Sequence, residues 1–453
     1  MTDLLAAPVE MPAFEHVPQP YRGPSREEVL ATRRQYVNPA VFTLYRDPLM
    51  IVEGKMQYLF DETGRRYLDM FAGIVTVSCG HCHPRVVEAV RRQMETLQHA
   101  TTIYLHPGLP ELARRLASKM PEGLDVTYFV NSGSEANDLA VTMARLFTGN
   151  NDVIAVRNAY HGGSPSSMGL TSHHTWKFPT QLNSGIHHTM CPDPYRSSLE
   201  GTPDEIARRS ADDIRETIRY ATPGRIAAFI AEPIQGVGGA TRGDATYLRE
   251  AYRITREHGG LCIADEVQTG FGRTGENYWG FQNSGVVPDI VTMAKALGNG
   301  VPMAAVTTRR EIAETLAQRI HFNTFGGNAV AMAAGLAVLD VIDDEGLQEN
   351  ARVIGGRLMA GLRALQERHP LIGDVRGMGL MLGVELVKDR AARTPAKEET
   401  AEVLEACREM GVLVGKGGLD GNVLRIKPPL CITAADADFA LDVLDRAFSR
   451  VEG

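Results

Sequence analysis

The chain has 453 residues, of which 43% are hydrophobic and 23% are charged, and its net charge is −8. This composition is typical of a soluble globular protein with two or three domains. The acidic balance argues against nucleic-acid binding, which needs clustered Lys and Arg, and no apolar run is long enough to span a membrane.

The first twenty residues and the cysteines indicate the cellular compartment of the protein. The N-terminal stretch carries acids and no arginine before Arg22, unlike a secretory or mitochondrial address. Six cysteines in a chain of this length do not form a disulfide framework. We therefore expect a cytoplasmic protein. The cysteines are Cys79, Cys82, Cys191, Cys262, Cys407 and Cys431.

Residues 79–83 read Cys-Gly-His-Cys-His and resemble a metal cluster at first glance. Four potential ligands within five residues cannot easily surround one tetrahedral ion, and no second cluster of similar spacing completes the set. We expect a structural turn here and no metal.

The N-terminal quarter of the chain predicts an arm followed by small elements. Residues 1–35 form an arm with one helix at residues 25–35. Alternating runs between Ile51 and Phe71, with a turn signal at residues 61–64, predict a small antiparallel sheet. Helical spacing follows at residues 84–97 and 109–119.

From about residue 125, short apolar runs alternate with helical segments. The runs are residues 126–130, 153–156, 226–231, 261–264, 290–293 and 303–306. This alternation predicts an α/β fold with a mostly parallel sheet covered by helices on both faces.

After about Asp343 the pattern changes to a separate α+β unit. It contains helices at residues 348–368 and 397–410, a strand-like stretch at 373–387, two short strands at 412–414 and 422–427, and a last helix from Ala434. Gly377-Met378-Gly379 does not open a helix after the first strand of a βαβ unit, so we discount a dinucleotide site. We predict three regions: 1–100 (N-terminal arm and small-domain segment), 101–343 (large domain) and 344–453 (small domain).

Residues 131–137, Asn-Ser-Gly-Ser-Glu-Ala-Asn, follow a strand and open a helix. Ser132 and Glu135 have the spacing of a capping box. Small residues at a helix N-terminus can bind a phosphate through free N–H groups and the helix dipole. An ordinary capped helix is the alternative, and this motif alone does not decide between them.

Three further polar side chains come at the ends of predicted strands: Glu232, Asp265 and Lys295. A lysine after a strand is often a solvated end, whereas a buried one has a lowered pKa and can attack a carbonyl. Because parallel strands end at one edge of a sheet, we expect these residues to converge with Ser134 in one crevice. Pyridoxal phosphate needs such a set, namely a lysine, an acid for the ring nitrogen and a phosphate cup.

Several segments of the chain resemble the class III (ω-) aminotransferases of fold type I. They are NSGSEAN, AYHG, AEPIQG, IADEVQTGFGRTG, TMAKALGNG, FNTFGGN and RIKPPL. FAGIVTVS at residues 71–78, GHCHP and EPIQGV are most similar to the mitochondrial-type alanine–glyoxylate aminotransferases within that family. The resemblance implies a seven-stranded-type sheet and pyridoxal phosphate as the cofactor.

The resemblance assigns roles around the cofactor. It implies that Lys295 links covalently to the cofactor and shuttles a proton, and that Asp265 pairs with the pyridine nitrogen. It implies that Thr324 reaches the phosphate of a neighbouring subunit, in a homodimer or a dimer of dimers. The other implied cofactor-binding residues are Ser132, Gly133 and Ser134 at the phosphate, and Tyr160, His161, Glu232, Val267 and Gln268 around the ring.

Arg425 matches the arginine with which this family binds a carboxylate. In ornithine- and 4-aminobutyrate-type members a glutamate after EPIQG pairs with this arginine, whereas Val237 stands at that position here. The resemblance therefore favours small amino acids with a free α-carboxylate over ornithine-like substrates.

We expect a transaminase that moves an amino group from alanine, or from a β-amino acid such as 3-aminoisobutyrate, to glyoxylate or pyruvate by ping-pong transamination. One alternative is a phospho-lyase acting on a phosphoethanolamine-type substrate. Others are a different ω-amino acid or amine:pyruvate transaminase, and a catalytically silent relative.

Overall fold

The computed structural model describes residues 10–179 and 184–453, and its first sheet lies near the N-terminus. Strands β1 (Ile51–Lys55), β2 (Tyr58–Asp61) and β3 (Arg66–Asp69) form an antiparallel meander. At the turn between β2 and β3, Asp61 Oδ1 accepts hydrogen bonds from the backbone N–H groups of Thr63 and Arg65. The small antiparallel sheet is thus confirmed. The predicted arm lies partly outside the described residues, and its helix is Arg26–Tyr36.

A seven-stranded sheet occupies the centre of the chain. Its order is β4-β10-β9-β8-β7-β5-β6, and only β10 runs antiparallel to its neighbours. The mostly parallel α/β fold is therefore confirmed. The strands are β4 (Val126–Val130), β5 (Val153–Val156), β6 (Ile186–Thr189), β7 (Ala228–Ala231), β8 (Leu261–Asp265), β9 (Ile290–Met293) and β10 (Ala304–Thr308).

Alternating residues of the central strands pack against helices on opposite faces of this sheet. In β5, Val153 and Ala155 pack with the helix Gly133–Thr148, while Ile154 and Val156 pack with the helices Pro203–Ala221 and Ala245–Glu257. Burial on both faces explains why these strands are continuous apolar runs rather than alternating patterns.

A third sheet near the C-terminus has the order β11-β12-β15-β14. The predicted single stretch 373–387 is two strands, because Met378 pairs with Met381 across a tight turn in which Gly379 has φ +55°. The Gly-Met-Gly sequence therefore belongs to a hairpin. The strands are β11 (Ile372–Met378), β12 (Met381–Leu386), β13 (Val412–Leu413), which pairs with β3, β14 (Gly415–Gly417) and β15 (Val423–Ile426).

The described helices cover the sheets, and none is long and apolar enough to cross a membrane. Those not yet given are Pro84–Thr96, Gly108–Ala117, Pro165–Leu170, Arg310–Ala313, Ala329–Asp344, Leu347–Arg368, Lys397–Glu409 and Ala434–Glu452. Short 3₁₀ turns lie at His174–Trp176, Gly280–Ser284, Lys295–Leu297 and Glu314–Gln318.

Residues 72–75 form a left-handed turn that the sequence did not predict. Their φ angles lie between 52° and 63°, although two of the four are the β-branched Ile74 and Val75. Asp69 Oδ1 stabilises the turn by accepting from the N–H groups of Phe71 and Ala72, at 2.8 Å each. β-branched residues rarely adopt this conformation, so the turn stores backbone strain.

The Cys-His cluster packs against this turn. His81 Nε2 lies 2.7 Å from Asp69 Oδ2, and His83 Nε2 lies 3.1 Å from Glu345 Oε1. Across residues 10–179 and 184–453, no group of three or more His, Cys, Asp or Glu side chains could hold a metal ion.

Candidate active site

The carboxyl ends of β4, β5, β7, β8 and β9 all lie at one edge of the seven-stranded sheet, since only β10 runs the other way. Asp265 is the last residue of β8, Glu232 follows β7 and Lys295 comes two residues after β9. Ligands bind at this edge in open α/β sheets. The predicted crevice therefore has the required topology.

Lys295 begins a 3₁₀ turn and has a positive φ of 43°. Its ammonium group makes no hydrogen bond with the described residues. Burial lowers the pKa of Lys295, and the nearby Arg425 lowers it further, while Asp265 and Glu232 oppose the shift. A lysine without a hydrogen-bond partner and with a lowered pKa is suited to act as a nucleophile or a base.

Asp265 is 3% exposed and lies within a network of donors. Its Oδ2 lies 2.7 Å from His161 Nδ1 and accepts from Asn137 Nδ2 at 2.9 Å, and its Oδ1 accepts from the Val267 N–H at 3.1 Å. The Asn137 amide is itself oriented by Thr292, whose hydroxyl donates to Asn137 Oδ1 at 2.7 Å. These donors hold the carboxylate in one position at the floor of the crevice.

Glu232 connects β7 to the segment that carries Tyr160. Its Oε1 accepts from the Tyr160 N–H at 3.0 Å and its Oε2 from the Gly236 N–H at 2.7 Å. Burial raises the pKa of Glu232. The Tyr160 ring packs edge-to-face with Trp176, with 5.1 Å between the ring centres, so Trp176 supports one side of the Tyr160 ring.

The N-terminus of the helix Gly133–Thr148 has free donors. Ser132 Oγ accepts from the Glu135 N–H at 3.2 Å, whereas the N–H groups of Gly133 and Ser134 make no hydrogen bond within the described residues. The capping box is only half formed, because Glu135 Oε2 accepts from Asn131 N at 3.0 Å instead of from Ser132 N. Free N–H groups at a helix N-terminus form an anion site.

Gly162 lies directly against this N-terminus. A Cβ at Gly162 would lie 2.4 Å from Ser134 Oγ, and the φ angle of Gly162 is +138°. The neighbouring Gly163 N–H donates to Ser134 Oγ at 3.1 Å. Only glycine fits this approach, which fixes the hydroxyl of Ser134 beside the free N–H groups.

Arg425, on β15, points into the same region and is 8% exposed. Its Nε donates to Lys416 O at 3.0 Å and its Nη1 to Gly236 O at 3.4 Å, and its guanidinium lies 4.8 Å from the centre of the Phe71 ring. No carboxylate of the described residues forms an ion pair with it. Burial lowers the pKa of Arg425 to about 10.

Gln268 and Lys427 form a buried pair beside Arg425. Lys427 is fully buried and its ammonium group donates to Gly236 O at 3.0 Å and to Gln268 Oε1 at 3.2 Å. Burial lowers the pKa of Lys427 well below its ordinary value.

Thr324 is the one predicted site residue that the structure leaves apart from this set. It is exposed and makes no hydrogen bond with the other predicted residues among those described. The adjacent Asn323 accepts from Asn131 Nδ2 at 2.9 Å and donates to Glu135 Oε2 at 3.0 Å. The loop that carries Thr324 is therefore fixed to the chain while Thr324 itself faces outwards.

Three residues of the site were missed at the sequence level. Asn137 had a usable signal, since it is a polar residue on the buried face of a helix. Lys427 had none beyond its place in RIKPPL, and Phe71 had none, because its contact with Arg425 joins residues far apart in the chain.

The arrangement fits pyridoxal phosphate. Asp265 offers a buried carboxylate, the helix N-terminus offers free N–H groups, and Lys295 offers an amine without a hydrogen-bond partner. Val267 lies beside both the helix N-terminus and Asp265, since a Cβ at Gly133 would lie 3.2 Å from its side chain and its N–H donates to Asp265 Oδ1 at 3.1 Å. These are the groups that hold the ring nitrogen, the phosphate and the aldehyde carbon of this cofactor.

Comparison with known proteins identifies the family. The family described as "Aminotransferase class-III" matches residues 43–448. The chain is 53% identical to alanine–glyoxylate aminotransferase 2 homolog 2, mitochondrial, of Arabidopsis thaliana, over 97% of this chain and 91% of that protein. It is 44% identical to human alanine–glyoxylate aminotransferase 2, mitochondrial, over 97% and 90% of the two chains.

Solved structures agree. An (S)-enantioselective ω-transaminase from Thermomicrobium roseum superposes with a TM-score of 0.88 at 36% identity, covering 96% of this chain and all of that one. A phospholyase from Arthrobacter in complex with phosphoethanolamine superposes with a TM-score of 0.87 at 34% identity, covering 93% and 99% of the two chains. The chain belongs to the class III aminotransferases and is a transferase that depends on pyridoxal phosphate.

The predicted cytoplasmic location is wrong. The relatives from Arabidopsis thaliana and from human are both named as mitochondrial proteins. The prediction used the cysteine content, which argues against an oxidising compartment but does not distinguish between reducing ones, and the composition of the N-terminal stretch, which proved to be a poor guide to the compartment.

Proposed function

We propose that this class III aminotransferase moves the amino group of alanine, or of a small β-amino acid such as 3-aminoisobutyrate, to glyoxylate or pyruvate by ping-pong transamination. The observation that carries the proposal is the buried Arg425, which has no carboxylate partner among the described residues. A buried guanidinium of this kind is ready to bind the carboxylate of a small amino acid.

The chain's own residues supply positions and protons. Pyridoxal phosphate, when bound, supplies the electron sink for the electron pair left on the substrate Cα. Asp265, held by His161 and Asn137, keeps a proton at the ring nitrogen. Lys295 Nζ, whose pKa is lowered by burial, removes the proton from the substrate Cα.

The remaining roles concern binding. Gly133 and Ser134 hold the phosphate through their free N–H groups, with Ser132 capping the helix. With the cofactor bound, Tyr160 and Val267 would enclose its ring, His161 and Glu232 would orient the groups around it, and Gln268 would donate to the ring hydroxyl.

Absorbance spectra of the pyridoxal phosphate-loaded protein test the reaction. L-Alanine or 3-aminoisobutyrate alone should remove the yellow band, and glyoxylate should restore it. Ornithine should act much more weakly. A protein that stays yellow with both small donors over hours would contradict the proposal.

The phospho-lyase is a second candidate because the Arthrobacter enzyme shares this fold at 34% identity. A cavity of about 610 Å³ near Arg425 is lined in part by His173, His174 and Lys177, which could meet a substrate phosphate. Burial lowers the pKa of His173, and His174 and Arg425 lower it further, so the His173 imidazole takes up a proton less readily and offers less positive charge to a phosphate. Release of phosphate and ammonia from phosphoethanolamine without any keto acid would favour the lyase.

We also propose a homodimer in which Thr324 binds the phosphate at the partner's site. Support comes from two adjacent exposed loops, since Asn328 Nδ2 donates to Gln98 O at 3.0 Å and the Phe325 ring lies 5.7 Å from His99. Large apolar side chains are exposed on both loops, which marks a protein interaction surface. They are Ile103, Tyr104, Leu105, Ile320, Phe322 and Phe325.

Mixing two inactive variants tests this dimer. A hybrid of a Lys295→Ala subunit and a Thr324→Ala subunit contains one site with both residues intact if Thr324 acts on its partner. Activity should then exceed that of either parent. No gain after verified subunit exchange would contradict the shared site.

A further inference from the structure

We infer that Lys427 is a positioning residue that fixes the side-chain amide of Gln268, so that its N–H group, rather than its oxygen, faces the ring oxygen of the cofactor. The inference rests on the proposed role of Gln268 and adds a residue to which the resemblance assigned no role. It starts from the two hydrogen bonds of the Lys427 ammonium group.

The chemistry of the partners determines the orientation of the amide. A lysine ammonium group has three N–H donors and no acceptor, and that of Lys427 donates to both Gly236 O and Gln268 Oε1. A glutamine amide has one oxygen and one NH₂ group, and a donor can meet only the oxygen. Gln268 Nε2, which makes no hydrogen bond with the described residues, must therefore be directed away from Lys427.

The surroundings leave the amide little freedom. A Cβ at Gly236 would lie within 2.2 to 2.3 Å of the Gln268 amide atoms, so the side chain packs directly on that backbone. Gln268 is 7% exposed. Rotation of the amide would place NH₂ against the Lys427 ammonium group, leaving two donors in contact and no acceptor between them.

The cofactor's ring oxygen is an acceptor, so the orientation of the Gln268 amide decides whether that oxygen receives an N–H donor. An N–H donor at that oxygen stabilises its negative charge and lowers the proton affinity of the yellow chromophore. The other charged groups near Lys427 are Arg425, Lys295, Arg273 and Glu232, and none of them contacts the Gln268 amide within the described residues. Lys427 alone among these groups decides the orientation of the amide.

The test is the apparent pKa of the yellow band of the pyridoxal phosphate-loaded protein, titrated without substrate. In Lys427→Met the cofactor stays bound, and the apparent pKa rises by about one unit, a tenfold higher proton affinity. Lys427→Arg keeps N–H donors without an acceptor and should restore a value close to that of the wild type. Lys388→Met, at an exposed surface lysine, is the matched control and should not shift it.

A double variant separates positioning from simple charge. If Lys427 acts through Gln268, then Lys427→Met combined with Gln268→Leu titrates like Gln268→Leu alone. Additive shifts, or a Lys427→Arg value equal to that of Lys427→Met, would overturn the inference. Lys427→Leu replaces Lys427→Met if circular dichroism shows that the latter is unfolded.

The same series separates this inference from the proposed role of Gln268. If Gln268→Leu leaves the apparent pKa unchanged, the role of Gln268 fails and the inference falls with it. If Gln268→Leu shifts the value and Lys427→Met does not, only the positioning role of Lys427 is refuted. Since no substrate is present, the identity of the amino donor does not affect either result.

Discussion

Replacing Arg425 with leucine should separate carboxylate recognition from the chemistry of transamination. An arginine has five N–H donors, and two of those of Arg425 are engaged by Lys416 O and Gly236 O, which leaves three for a ligand. A bidentate carboxylate uses two of these, and each hydrogen bond to a charged group contributes about 1.5 kcal/mol or more. The loss of about 3 kcal/mol corresponds to a roughly 100-fold lower kcat/KM for L-alanine.

The assay compares the single-turnover rate of the half-reaction for two donors. L-Alanine carries the carboxylate, whereas 2-aminobutane lacks it and should react at a rate changed by less than about threefold. Arg425→Lys keeps the positive charge but not the planar guanidinium, and its rate with L-alanine should lie between those of the wild type and Arg425→Leu. Arg357→Leu, at an exposed pair with Asp438, serves as the control. An equal loss for both donors in Arg425→Leu would refute carboxylate binding and indicate a structural role.

Three further predictions concern the buried ionisable groups. Lys295→Ala should lower turnover by about 10³-fold or more without unfolding the protein, and appreciable activity in the half-reaction would contradict its role as the base. Asp265→Asn should lower turnover by about 10²-fold, measured with saturating cofactor, because the amide carries no charge to retain the ring proton. Burial raises the pKa of Glu266 from its ordinary value of 4.5 to about 7. Between these two pH values the folded protein keeps a proton on Glu266, whereas the unfolded chain has released it. Unfolding between pH 4.5 and 7 therefore releases a proton from Glu266, and the stability of the protein falls as pH rises through this range. Glu266→Gln should flatten the slope of Tm against pH, whereas an unchanged slope would be evidence against the raised pKa.

The sheet and the strand-end residues could be predicted because they depend on local pattern. Apolar runs at β7, β8 and β9 follow from burial on both faces, and parallel strands necessarily end at one edge. The sequence alone therefore predicts that Asp265 and Lys295 lie at that edge. The contacts of Asp265 with His161 and Asn137 depend on how helix and loop pack, which no local pattern specifies.

Other features depend on long-range contacts that are absent from local sequence. The left-handed turn at residues 72–75 is stabilised by Asp69, which also meets His81 twelve residues further along the chain. The antiparallel direction of β10 depends on its insertion between β4 and β9. A run with β propensity indicates a strand but carries no information about its direction.

Gly236 links substrate recognition to cofactor binding in one peptide segment. Its N–H donates to Glu232, its carbonyl accepts from both Arg425 and Lys427, and its Cα leaves no room for a side chain beside Gln268. A shift of this backbone would move the Arg425 guanidinium, the proposed carboxylate site, and the Gln268 amide together. The EPIQG segment thus acts as a rigid support, because each polar group of Gly236 is satisfied by a side chain that the site requires. The neighbouring Val237 extends this support through its backbone carbonyl, which accepts from the N–H of Gly418, directly after β14, at 3.0 Å.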